Sequence, residues 1–169
     1  MRCCAALLLA CMPILGGCGL HPLYAGGGSG PVAKGLGQVE VGAIGGKNGW
    51  LVRTALLDRL GVAPKASPRY RLEVELNDQI LGFGVQQDNT VTRERRTLRA
   101  RYKLVDAAAG TVLVDATAGS DAGIDVVTSE YAVIAAEQTA LERLSGEVAD
   151  QIIARLALYI QRSGAPPQP

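Results

Sequence analysis

Thr92-Arg-Glu-Arg-Arg-Thr-Leu-Arg-Ala-Arg-Tyr-Lys-Leu-Val105 alternates between two kinds of side chain. Leu98, Ala100, Tyr102 and Leu104 share one parity. Arg93, Arg95, Arg99, Arg101 and Lys103 share the other, interrupted only by Thr97, and Arg96 adds a sixth cation on the apolar parity. A period of two is that of a half-buried β-strand, because successive side chains point to opposite faces. The stretch therefore predicts a strand with one face on a core and a basic row about 34 Å long on the other. Upstream, Tyr70, Leu72, Val74 and Leu76 alternate with Arg71, Glu73, Glu75 and Asn77 in the same manner. After Asn77-Asp78 the apolar parity changes, and Gly82 and Gly84 predict a bulge or a break between strands. Asp88-Asn89 reads as a turn. Downstream, Gly110 closes a short turn, and Val112, Val114 and Ala116 begin a partner strand with Asp115 and Thr117 on its polar face. These stretches predict an antiparallel meander, and Val39 to Ile44 adds a weaker short strand.

Two helices flank the strands. Asn48 is placed as an N-cap; Val52, Ala55, Leu56 and Leu60 form an apolar stripe; Gly61 stands at C′ and Pro64 blocks continuation. Trp50, near the start, predicts core or helix-entry packing rather than a stacking platform. Ser129 caps the second helix, with Glu130 in its first turn. Ile134, Leu141, Leu144, Val148, Ile152, Leu156 and Tyr159 then recur at helical spacing to about Arg162, and Gly146 is a candidate for a bend. The fold class is α+β: two helices packed on one face of a roughly four-stranded, mostly antiparallel sheet. That domain spans 38–163, with a disordered tail at 164–169.

The chain opens with Arg2 and an apolar run from Cys3 to Leu15, too short for a permanent span. It ends in Leu15-Gly16-Gly17-Cys18, the bacterial lipobox pattern, in which small residues fit the signal peptidase and the thiol accepts the diacylglycerol. Residues 1–17 are read as a signal peptide and Cys18 as the lipid attachment site, with 18–37 a glycine-rich flexible tether. Removing 17 of 169 residues leaves 152, with 16 basic and 16 acidic side chains. That balance argues against a nucleic-acid partner. Cys3, Cys4 and Cys11 leave with the signal, so no disulfide is expected. Gly19 after the cysteine favours the outer membrane, with N-terminal acyl chains as the membrane attachment.

Catalysis and cofactors find little support. His21 is the single histidine and lies in the tether, so a histidine-dependent nucleophile is implausible and a Cys/His zinc site is excluded by count. No phosphate-binding glycine loop is present. The basic row admits two readings: cross-strand pairing with Glu73, Glu75 and Asp115, or binding of an anion by arginine's planar fork.

Cys18-Gly-Leu-His-Pro-Leu-Tyr24 resembles the mature start of the LPS-assembly lipoproteins, the LptE family. Ser129-Glu-Tyr-Ala132, Ala136-Glu137 and Gln151-Ile-Ile-Ala-Arg-Leu-Ala-Leu-Tyr159 are similar to that family's C-terminal helix, and the order of elements between follows the same plan. The resemblance implies a non-enzymatic lipoprotein of the outer membrane, facing the periplasm. It would plug and assist assembly of an LptD-type β-barrel and help deliver lipopolysaccharide to the outer leaflet. In that setting Arg93, Arg95, Arg99, Arg101 and Lys103 are the candidate lipopolysaccharide-binding residues, inferred from strand parity and not from a family motif. The alternatives are a free lipid- or anion-binding lipoprotein and a purely structural one.

Overall fold

In chain order the elements are α1 (Pro31–Leu36), β1 (Val39–Val41), α2 (Gly46–Leu60), β2 (Tyr70–Val85), β3 (Val91–Asp106), β4 (Val112–Asp125) and α3 (Glu130–Gly164). The computed structural model describes residues 30–61, 68–85 and 91–164. The expected signal peptide, Cys18, His21, Pro64, the Asp88-Asn89 turn and residues 165–169 of the expected tail lie outside the described residues, while Gly164, expected to open that tail, is the last residue of α3.

The strands form one open sheet in the order β1-β2-β3-β4. β1 runs parallel to β2, with α2 as the crossover, and the other pairs are antiparallel. Alternation decides the faces. Leu72, Val74, Leu98, Ala100, Tyr102, Leu104, Ala118, Ala122 and Ile124 point to one side and are buried. Against them lie Val52, Leu56 and Leu60 of α2 and Leu141, Leu144, Val148, Ile152 and Leu156 of α3. The result is a helix layer on one sheet face, the α+β arrangement expected. Arg59 ties the helices together, its Nε and Nη2 donating to Asp150 Oδ1 and Oδ2 at 2.5 and 2.9 Å.

The tether expectation is corrected over Pro31–Leu36, which is helical. Pro31 stands in the first turn, where a missing N–H costs nothing. Val32 and Leu36, one turn apart, are both buried, at about 2 kcal/mol each. Gly35 permits the approach to α3: a Cβ there would lie 2.5 Å from Ile160 Cγ2.

The expected interruption of β2 is also corrected. Its register with β3 holds from Tyr70↔Asp106 to Phe83↔Arg93 and resumes unchanged at Val85↔Val91, running through Gly82 and skipping only Gly84, at φ 75°. A continuous partner strand supplies the ladder hydrogen bonds that outweigh glycine's weakness in a strand. The register shift lies instead at Leu104/Val105, opposite β4.

α2 begins at Gly46, and its N-cap is Gly45 rather than Asn48. Asn48 Nδ2 instead donates to Asp78 Oδ2 at 2.6 Å. Trp50 is 64% exposed, against the packing expected of it. Val52, Leu56 and Leu60 occupy the inward stripe at four-residue spacing, and a residue two positions before Val52 falls on the opposite side. Gly61 ends the helix as expected, at φ 67°, its N–H donating to Leu57 O at 3.1 Å.

The Ser129 hydroxyl accepts the Ala132 N–H at 3.4 Å, in the capping position expected. The first turns of α3 overhang the core: Tyr131 and Ile134 are exposed, so Ile134 does not belong to the buried stripe. Among the described residues no helix is long and apolar enough to cross a membrane.

Candidate functional site: the cation row of β3

All five predicted cations stand on the sheet face turned away from the helices, with the four arginines exposed and Lys103 half-buried. Their carboxylate partners come mainly from β4. Arg93 Nε lies 3.1 Å from Asp125 Oδ1, and Arg95 Nε lies 3.9 Å from Asp121 Oδ2. The Arg95 guanidinium also stands 5.5 Å from the Phe83 ring centre, within cation–π range. Arg101 grips Asp115 with two donors, Nε to Oδ1 at 3.3 Å and Nη2 to Oδ2 at 3.1 Å. That grip holds the Asp115 carboxyl below the usual carboxylate range, with the Lys103 charge adding to the effect.

The partners differ in part from those read in the sequence. Asp115 pairs as expected, but Glu73 is taken within its own strand by Arg71, at 3.0 Å. Glu75 stands in register with Arg101, whose fork Asp115 already fills. Asp121 and Asp125 were missed, although both continue the parity of Asp115 along β4. Counted over the strands, six cations (Arg71, Arg93, Arg95, Arg99, Arg101, Lys103) share this face with six carboxylates (Glu40, Glu73, Glu75, Asp115, Asp121, Asp125). The face is a row of cations between two rows of acids, with no net charge.

Arg99 is the exception among the arginines of the row. Its register neighbours are Asn77 and Gly119, both uncharged, and among the described residues no carboxylate comes within ion-pair distance of it. Gly119 makes room for it, since a Cβ there would stand 3.2 Å from Arg99 Cγ. An anion arriving at the sheet therefore meets Arg99 without displacing a carboxylate from it.

Arg96, on the opposite parity, has a different task. It is buried under the helix layer, with Nε and Nη2 on Asp78 Oδ1 and Oδ2 at 2.9 and 2.5 Å and Nη1 on the Glu137 carbonyl oxygen at 2.8 Å. With Asn48 also on Asp78, the group pins the starts of α2 and α3 to the sheet. Next to it, burial first and the neighbouring Glu137 carboxyl second push the Glu94 carboxyl above its ordinary range. Glu94 Oε2 is buried without a hydrogen-bond partner among the described residues. Among those residues, no three His, Cys, Asp or Glu side chains cluster closely enough to hold a metal ion.

Several solved structures share this fold. A candidate lipoprotein from Caulobacter crescentus CB15 is 28% identical, with a TM-score of 0.68 over 81% of this chain and 100% of that one. The rare lipoprotein B of Shewanella oneidensis is 10% identical, with a TM-score of 0.60 over 75% of this chain and 98% of its own. A minor lipoprotein of Acinetobacter baumannii is 16% identical, with a TM-score of 0.57 over 78% and 94%. No curated protein matches the sequence. The LptE lipopolysaccharide-assembly model matches residues 36–156, a span that holds all four strands, α2 and most of α3. The chain belongs to the LptE lipopolysaccharide-assembly family.

Proposed function

We propose that this protein is an outer-membrane lipoprotein, anchored through acyl chains on Cys18, that plugs an LptD-type β-barrel, assists its assembly and helps deliver lipopolysaccharide to the outer leaflet. The observation that carries this reading is the family match over residues 36–156, which covers the sheet and the helices that shape it. The lipobox at Leu15–Cys18 supports the anchor, and the similar Shewanella and Acinetobacter structures are lipoproteins. The polar interior of a barrel suits a sheet face whose charges are largely paired within the face itself. The role is one of assembly and delivery, without a catalytic step.

Within that role, Arg93, Arg95, Arg99, Arg101 and Lys103 form the row offered to the phosphates and acidic sugars of lipopolysaccharide. Arg99 is the first contact, because it is the arginine of the row with uncharged neighbours on both strands. Arg93 and Arg95 can turn to an anion only in competition with Asp125 and Asp121.

The test is recovery of tagged protein from detergent-solubilised outer membranes, with lipopolysaccharide measured in the eluate. Equal recovery of one large β-barrel protein together with lipopolysaccharide is expected. Recovery of the protein without a barrel would end the plug reading. In a parallel binding assay, Arg99→Ser is expected to weaken lipopolysaccharide binding more than Arg93→Ser; equal effects would remove Arg99 from its leading place.

A further inference from the structure

We propose that the free edge of β2 receives an extended strand from a partner protein, one whose residues alternate between basic and apolar. The inference begins with the backbone. β1 pairs with β2 only at Tyr70, Arg71 and Leu72. Tyr70 N–H donates to Gln38 O at 3.1 Å, and Leu72 O accepts from Gly42 N–H at 2.9 Å. Even-numbered residues of β2 thus direct their backbone groups toward the β1 side, since alternate residues of an antiparallel strand face opposite neighbours. Beyond Leu72 the same direction belongs to Val74, Leu76, Asp78, Ile80 and Gly82. Among the described residues nothing meets their N–H and C=O groups on that side. The open run is about 27 Å long.

The opposite edge of the sheet is treated differently. On β4, the Gln151 side-chain amide imitates a strand: its Nε2 donates to Gly119 O and its Oε1 accepts from Gly119 N–H, both at 3.1 Å. Beside it the Ser120 hydroxyl bonds Glu147 of the same helix. Folded proteins commonly guard an edge with lysine, proline or a covering element. From Glu73 to Val85 there is neither lysine nor proline, and the inward-pointing charge of Asp78 is already taken up by Arg96. At Gly119 α3 guards one edge, and from Val74 to Gly82 the other is left able to accept a strand, the geometry of β-augmentation.

Side chains decide the guest. Val74, Leu76 and Ile80 point to the helix side, and Glu73 and Glu75 to the outward face. Glu75 has no ion-pair partner among the described residues, because Asp115 fills the fork of the Arg101 opposite it. A guest strand with apolar residues toward the helices and Lys or Arg outward would continue the core and meet the unpaired carboxylate. The inference needs only this ladder and stands apart from the lipopolysaccharide reading.

The test is amide exchange on the isotope-labelled full chain, titrated with an eight-residue peptide of alternating arginine and valine. Exchange at Leu76, Ile80 and Gly82 is expected to slow at least tenfold. The same peptide N-methylated at alternate residues should leave exchange unchanged, and an aspartate–valine peptide should bind at least tenfold more weakly. Ile80→Pro, which removes an edge-facing N–H without touching the β3 ladder, should weaken binding at least tenfold. Glu75→Lys, which leaves the backbone intact, should reverse the charge preference. No protection from the arginine–valine peptide, or equal protection from the aspartate one, overturns the proposal. Protection that appears without peptide and grows with protein concentration would assign the edge to a second copy of this chain, and also overturns it.

Discussion

At the scale of single residues, the Arg96–Asp78 pair is where charge and burial conflict most sharply. Their side chains are only 10% and 12% exposed, so each charge depends on the other and on Asn48 and the Glu137 carbonyl. Removing one partner leaves a buried charge uncompensated, which typically costs about 3–5 kcal/mol. Asp78→Ala is therefore expected to lower the urea midpoint by that equivalent with an unchanged slope, while Asp78→Leu combined with Arg96→Met loses less. A smaller loss for Asp78→Ala than for the double variant would contradict the account. Glu94 provides a pH-dependent counterpart. Its carboxyl is raised in the folded protein, by burial and then by Glu137. The native state thus holds that proton more tightly than the unfolded chain, and the associated stability is lost as pH rises above the ordinary glutamate range. Glu94→Gln should remove this loss: its melting temperature relative to the parent should climb from acidic to neutral pH. A constant difference across that range would show that Glu94 does not titrate as described.

At the scale of elements, helix ends separate backbone cost from packing cost. Gly61 has φ 67° and open space where a Cβ would go, whereas a Cβ on Gly49 would meet Ile44 O at 2.5 Å. Gly61→Ala should cost about 1 kcal/mol through backbone strain alone, and Gly49→Ala clearly more, since α2 must shift from the Ile44 backbone. Denaturant unfolding of the two variants checks the order, and a reversed order would refute it. The same elements show what could be read in the sequence. β3 and the start of β2 were legible because one face is buried along their length, and a half-buried strand writes its period of two directly. α1 was hidden by glycine-rich surroundings, yet Pro31, Val32 and Leu36 carried the signal of a proline-started turn with apolar residues four apart. The far half of β2 misled because Asp78 takes an inward position among apolar residues. Its partner Arg96 breaks the pattern of β3 in the same way, and only their pairing explains either. Trp50 could not be placed by size alone, because the stripe that begins at Val52 decides which side of α2 is inside.

At the scale of the molecule, the outward sheet face decides between a ligand surface and a self-paired one. Six cations and six carboxylates share it, and exposed pairs of this kind contribute little to stability. Removing carboxylates should therefore leave the fold intact and change only what the cations are free to do. Asp121→Asn with Asp125→Asn releases Arg95 and Arg93 and adds two units of positive charge to the row that holds Arg99. If the row receives lipopolysaccharide, this double variant should bind it several-fold more tightly than the parent, with a steeper loss as salt is added, because released guanidinium groups act through screened charge. Arg99→Ser should move affinity in the opposite direction. Titrations of the parent and both variants at low and high salt measure this directly. If all three bind alike while circular dichroism shows them folded, the row serves cross-strand pairing alone, and lipopolysaccharide contact must lie on another surface.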